Sequence, residues 1–166
     1  ALTAFGQAGA DTSIGFEALM ILVKGAAMLV TVAVLIRYVL PWLLERAEIL
    51  FDVAFRGAWD ERHGGLYYGF APDFSICDDR KYHWVQCESM ATAAALGQRT
   101  GKPVYWDWYD RLWAYCWEHW VDHTHGAWLR LLTRDNINTT DEKSPAGKVD
   151  YHTTGACYAI LETLKA

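Results

Sequence analysis

Beyond residue 40, apolar positions recur at helical spacing and are interrupted by short alternating runs. Pro41 suits the first turn of a helix. Leu43, Leu44, Ala47, Leu50, Phe51 and Ala54 follow at i, i+3, i+4 spacing, which predicts an amphipathic helix over about 41–57. Leu66 to Cys77 sets a Pro72-Asp73 turn between two β-prone runs and predicts a short hairpin. A helix is expected from Lys81 to near Gly101. Pro103 opens another to Asp122, in which Trp106, Trp113, Trp117 and Trp120 recur on helical spacing. A second hairpin over Trp128 to Asn138 and a last helix from Asp150 to Leu164 complete the series.

The first 40 residues read differently. They hold four charges (Asp11, Glu17, Lys24, Arg37) and no Trp, His or Cys, whereas all nine Trp and all six His lie beyond them. The chain is therefore divided into an atypical apolar segment, 1–40, and a main part, 41–166. Within the first, Ala18 to Ile36 is long enough to cross a bilayer at about 1.5 Å per residue. Lys24 sits inside that run rather than at its end, where a charge costs roughly 2.5–3.5 kcal/mol on insertion scales. A membrane partner is disfavoured on that ground. The segment is expected to be a helix that packs against another subunit or has lost its partners.

With 166 residues the chain is one domain's worth, and 52% apolar against 21% charged residues is enough to bury a core, which excludes wholesale disorder. A net charge of -5 without a basic tract argues against nucleic acid and anionic membranes. Cys77, Cys87, Cys116 and Cys157 show neither C-x-x-C nor zinc-ligand spacing and are read as buried thiols in a reducing compartment. No secretory leader pattern is seen, and a cytoplasmic protein is expected. P-loop, G-x-G-x-x-G and G-x-S-x-G motifs are absent.

An internal repeat organises the main part. Residues 59–67, WDERHGGLY, align with 121–129, VDHTHGAWL, at an offset of 62, pairing Asp60 with Asp122, His63 with His125 and Gly64 with Gly126. Each copy follows a helix and precedes a hairpin and a second helix. Helical-pair units of this kind need neighbours to bury their apolar faces, and they commonly close into an α/α toroid. The expected fold is all-α, a partial toroid with short hairpins between helices. The recurring Asp and His are read as braces of the turn, with Gly64 supplying positive φ.

Two segments carry candidate chemistry. In the first, Lys81, Trp84 and Glu88 are expected on one face of a helix start, with Gln86 beside them and small Ala91, Ala93, Ala94 and Ala95 beyond. A carboxylate and an amide next to an indole suit a sugar, whose hydroxyls want polar partners and whose C–H face stacks on an aromatic ring. In the second, His152 falls in the first turn of the last helix. Helix N-termini disfavour positive charge, which suits a ring that must accept a proton. His119, His123 and His125 lie within seven residues, but the spacing is not H-E-x-x-H and a metal is not expected.

Three motifs, W-D-x-x-x-G-G-L-Y-Y from Trp59, D-D-x-K-Y-x-W-V-Q-x-E-S from Asp78 and D-E-K-S-P-A-G-K-x-D-Y-H-T-x-G-A-C-Y from Asp141, occur in this order. Together they resemble the C-terminal part of the N-acylglucosamine 2-epimerase superfamily, in particular its mannose isomerase-like, aldose–ketose isomerase branch. The resemblance implies an (α/α)6 barrel and a cofactor-free proton transfer next to a sugar carbonyl, interconverting mannose and fructose through a cis-enediolate. It gives His152 the role of a catalytic acid or base and makes Glu88 the carboxylate that binds or polarises the sugar. Trp84 and Gln86 fall in the substrate-facing segment that Lys81 opens. Gly155 stands where epimerase members often carry Arg, which leans toward isomerase over N-acylhexosamine 2-epimerase. The family's other histidine lies in a P-G-H motif that this chain lacks. Residues 1–40 are therefore expected to be foreign or frame-shifted sequence joined to a barrel fragment. The competing expectations are an inactive sugar-binding or interaction fragment and a membrane-anchored protein. Exposed helix faces are expected to drive self-association or partner binding.

Overall fold

The computed structural model describes residues 2–140, 142–146 and 148–165, with side chains from residue 15 onward. Asp141 and Gly147, both within the third motif, lie outside the described residues, as does Ala1. The chain divides into two compact units, Ala1–Ile49 and Leu50–Ala166.

The described residues of the first unit are helical throughout. Helix α1 (Leu2–Val34) passes through a π-helical turn at Leu35–Val39 into α2 (Leu40–Ala58). The helix expected to start at Pro41 thus has no free N-terminus there. The physical reason lies in the ring: Pro41 has no N–H for the carbonyl of Arg37 and crowds it. The ladder widens just before it, with Leu40 N–H donating to the Leu35 carbonyl, five residues back. Among the described residues, Gly15–Ala58 is the helix long and apolar enough to cross a membrane, and none of its most apolar window is buried. Phe16, Leu19, Ile21, Leu22 and Val23 are all more than half exposed, so apolar side chains point in every direction around the axis.

The second unit holds the core. After α2 come β1 (Gly69–Phe70), β2 (Ile76–Asp78), β3 (Lys81–Tyr82), α3 (His83–Thr100), α4 (Pro103–His119), β4 (Leu131–Leu132) and α5 (Tyr151–Lys165). Helix α3 lies at the centre and packs on both α4 and α5. Its alanines make this possible. Ala93 and Ala94 are fully buried with Met90, and Phe51, Phe55, Tyr105, Leu112 and Ile160 close over them. Burying such a set contributes on the order of 1.5–3 kcal/mol per large side chain. Helix α3 ends at Gly101, whose φ of +68° forms a left-handed cap.

The repeat extends well beyond its nine-residue signature. Asp60 N–H donates to the Gly65 carbonyl at 2.9 Å, and Asp122 N–H to that of Ala127 at 3.0 Å. Left-handed φ recurs at Gly64 and Gly126, at Gly65 and Ala127, and at Phe74 and Asn136, each pair 62 residues apart. The β1–β2 hairpin pairs Phe70 with Ile76, and its counterpart pairs Leu132 with Asn138. The second hairpin differs in one respect: its β4 pairs along its length with β3 of the first copy, Lys81 with Leu132 and Tyr82 with Leu131. That antiparallel pair stitches the two copies of the repeat together, both within the second unit.

Candidate active site

Helix α3 begins at His83, two residues later than its expected start, and this changes what its first residues can reach. Lys81 sits on β3 and not on the helix face shared by Trp84 and Glu88. Pairing with β4 turns its side chain inward, where it is wholly buried. The ammonium donates to Asp60 Oδ2 (3.0 Å), the Gly64 carbonyl (2.6 Å), the Arg134 carbonyl (2.7 Å) and Asn136 Oδ1 (2.9 Å). Nothing of it is left for a sugar. Gln86 is also fully buried: its amide oxygen accepts the Leu66 N–H at 2.9 Å and its NH2 donates to the Leu66 carbonyl at 2.7 Å. Both residues were expected to face substrate and instead bolt the first turn to α3 and to the second hairpin.

Asp60 is the pivot of that bolt. Burial alone would raise its carboxyl, but the hydrogen bond from Lys81 and the N–H groups of His63 and Arg62 outweigh it and hold the group down at about 2. The turn-bracing reading of Asp60 is the one the geometry carries, with His63 Nδ1 3.2 Å from its second oxygen.

The remaining expected residues come together on the surface. His152, in the first turn of α5, places Nδ1 2.9 Å from Glu88 Oε1 on α3, joining residues 64 apart in sequence. A carboxylate only accepts, so Nδ1 carries a proton in this contact, and in the neutral ring that tautomer leaves Nε2 with a lone pair. The start of α5 is fixed by Lys148, whose buried ammonium donates to the Trp128 carbonyl at 2.8 Å and pairs with Asp150 at 3.2 Å. Trp84, one turn before Glu88, lies with its ring 5.7 Å from that of His152, and the Tyr151 ring is 3.9 Å from it. Tyr68 extends the aromatic row, 6.1 Å from Trp84. Trp84, Tyr68 and Tyr151 are all exposed, and the Glu88 side chain is about half exposed, so a ligand can reach them.

Sequence reasoning missed His83. Its ring stands edge-on to His152 at 6.3 Å, its Nδ1 donates to the Arg130 carbonyl at 3.3 Å, and its Nε2 is buried without a partner. Burial pushes this imidazole down to about 4, so it stays neutral. No periodicity could have found it, because its position depends on the β3–β4 pairing, visible only as two residues per strand. Tyr151 carried a weak signal, as the neighbour of His152 in D-Y-H-T.

The three histidines of the 119–125 stretch make separate contacts. His123 Nε2 donates to the Trp117 carbonyl at 2.8 Å and His125 braces Asp122, and the described residues contain no group of three side chains placed to hold a metal. Of the four cysteines, Cys87 and Cys116 are buried, but Cys157 is half-buried and Cys77 is exposed on β2, a strand with one open edge, so the expectation of four buried thiols is corrected at both. Burial raises Cys87 to about 12.

The N-acylglucosamine 2-epimerase pattern matches residues 22–156. The chain belongs to the N-acylglucosamine 2-epimerase family. The match starts inside the apolar segment set apart by composition, at residue 22 rather than near 41. A D-mannose isomerase of Marinomonas mediterranea is 51% identical over 123 residues, covering 74% of this chain and 31% of that protein. A crystal structure of D-mannose isomerase superposes with a TM-score of 0.72 at 50% identity, over 74% of this chain and 32% of the other. Cellobiose 2-epimerase of Spirochaeta thermophila shares the fold, with a TM-score of 0.65 at 18% identity over 76% and 34%. This chain thus spans about a third of the length of each. In this family its paired helices form part of an (α/α)6 barrel, the all-α toroid expected from the repeat.

Proposed function

We propose that this chain carries the proton-transfer half of a cofactor-independent aldose–ketose isomerase of the mannose–fructose type. The observation that supports it most is the His152–Glu88 pair at 2.9 Å, beside the exposed ring of Trp84. The carbonyl of an open-chain aldose already acidifies the neighbouring C–H, so a positioned base and a group that handles the hydroxyl protons suffice. His152 Nε2 removes the proton at C2 of mannose and returns it to C1 from the same face of a cis-enediolate, giving fructose. Glu88 holds the imidazole in the required tautomer and offers its second oxygen to a sugar hydroxyl. Trp84 receives the C–H face of the sugar. The substrate is a monosaccharide, and the working compartment is the cytoplasm, where the free thiols stay reduced.

The isomerase names of the relatives support mannose over N-acylhexosamines, as does Gly155 in place of an arginine. One observation favours a second reading, a chain that binds the sugar without converting it: Trp84, Tyr68 and Tyr151 are exposed beside the half-exposed Glu88 and suffice to hold a ring. Mannose conversion followed by 13C NMR separates the readings. Fructose formation that disappears in His152→Ala, with unchanged circular dichroism, is expected. Saturable mannose binding without conversion would replace catalysis by recognition, and turnover of N-acetylmannosamine instead of mannose would make the activity a 2-epimerisation.

A further inference from the structure

The position that grips the first repeat turn from α3 recurs in the second copy with a different side chain. Gln86 and Lys148 stand 62 residues apart, as do the residues they hold, Leu66 and Trp128. The Gln86 NH2 donates to the Leu66 carbonyl at 2.7 Å and the Lys148 ammonium to the Trp128 carbonyl at 2.8 Å, and both side chains are wholly buried. An amide makes this joint without burying a charge, whereas a buried ammonium must be compensated. What the lysine adds is its second partner, Asp150, at 3.2 Å.

That partner sits where α5 begins. The Asp150 carbonyl accepts the Thr154 N–H at 2.9 Å and the Thr153 hydroxyl at 3.0 Å, so Asp150 opens the first turn of the helix, and that turn carries His152. In the first copy the counterpart of Asp150 is Glu88, already inside α3 and held by the helix's own ladder, so no clamp is needed there. The other side of the acid–base pair hangs from the same stretch of chain. His83, the first residue of α3, donates its N–H at 3.2 Å and its Nδ1–H at 3.3 Å to the Arg130 carbonyl, two residues past Trp128. Glu88 follows His83 by five residues and His152 follows Lys148 by four. Residues 128–130 thus hold both helix starts close to the side chains that meet.

We propose that Lys148 is a positioning residue for the His152–Glu88 pair: by clamping Asp150 to the Trp128 carbonyl it fixes the first turn of α5 so that His152 Nδ1 meets Glu88. Its bearing on turnover rests on the isomerase reading above; its hold on the His152–Glu88 contact does not. A displacement of about 1 Å at such a pair costs on the order of 100-fold in rate.

Two substitutions at this one site separate positioning from packing. Lys148→Met removes both bonds, whereas Lys148→Gln keeps a donor for the Trp128 carbonyl, as Gln86 does in the first copy, and loses the clamp on Asp150. Urea unfolding should show a lowered midpoint for Lys148→Met and recovery in Lys148→Gln. Long-range 1H–15N NMR of the histidine-labelled chain reads the His152 tautomer: the parent should carry the proton on Nδ1, and both variants should lose that preference. With mannose, both should lower kcat about 100-fold and change KM less than about twofold. If Lys148→Met does not fold, Lys148→Gln carries the test. A Lys148→Gln chain that keeps the parent's tautomer or its kcat overturns the proposal and leaves Lys148 a role in the fold alone. A parent that converts no mannose refutes the isomerase reading instead, and the tautomer in Lys148→Gln still decides the positioning.

Discussion

Lys81→Met gives the sharpest stability prediction, because it separates a structural lysine from a substrate-binding one. The substitution keeps the volume but removes an ammonium that four oxygens share. Asp60, whose side chain is 1% exposed, would keep the N–H groups of Arg62 and His63, the ring of His63 and the Tyr67 hydroxyl, but no counterion. Breaking a buried pair by removing one partner costs about 3–5 kcal/mol, since the remaining charge is left without its counterion. That is a large share of the roughly 5–15 kcal/mol of a typical domain. Replacing both charges, with Asp60→Asn and Lys81→Met together, should cost less than Lys81→Met alone plus Asp60→Asn alone. Urea unfolding followed by circular dichroism at 222 nm and by tryptophan fluorescence measures all three variants. A Lys81→Met cost below about 1 kcal/mol, with a raised KM for mannose, would refute the reasoning and return Lys81 to the substrate.

Three further outcomes follow from the same geometry. His83 is held neutral, with its folded value at about 4 against an ordinary 6.5, so the unfolded chain binds the proton more readily. Its contribution is present above 6.5 and is lost as pH falls toward 4, by roughly 3 kcal/mol; urea melts across that window should lose this slope in His83→Gln. Gly65→Ala combines a φ of +79° with a Cβ 2.3 Å from the Tyr115 ring and should cost more than about 2 kcal/mol, whereas Ala127→Gly, relieving a left-handed alanine, should raise the melting temperature. Glu88→Gln keeps the shape but loses the carboxylate on His152, and should lower kcat about 100-fold with little change in urea stability.

Much of this was legible in the residues because it depended on local period. The helical stripe of Leu50, Phe51 and Ala54, the Ala-rich α3 and the 62-residue repeat each reflect interactions within a few residues or a copied unit, and the D-x-x-H-G turns read correctly as braces. The His152–Glu88 pair was named residue by residue, though nothing in the spacing showed that the two side chains would meet. What failed was long-range. Two-residue strands leave no alternation to read, so the β3–β4 pairing that buries Lys81 and positions His83 was invisible. Gln86 was expected to face substrate because its two shortest bonds, to the backbone groups of Leu66, reach across 20 residues and leave no local signal. Pro41 was read as a helix start because a π-turn that absorbs a missing N–H has no residue signature.

The most direct test of the catalytic account is proton NMR of the purified chain with mannose in D2O, beside His152→Ala. The account predicts fructose, with deuterium at C1 of the product and at C2 of recovered mannose, and neither in the variant. A folded chain that leaves mannose unlabelled and unconverted, or a His152→Ala variant that exchanges as fast as the parent, would contradict it.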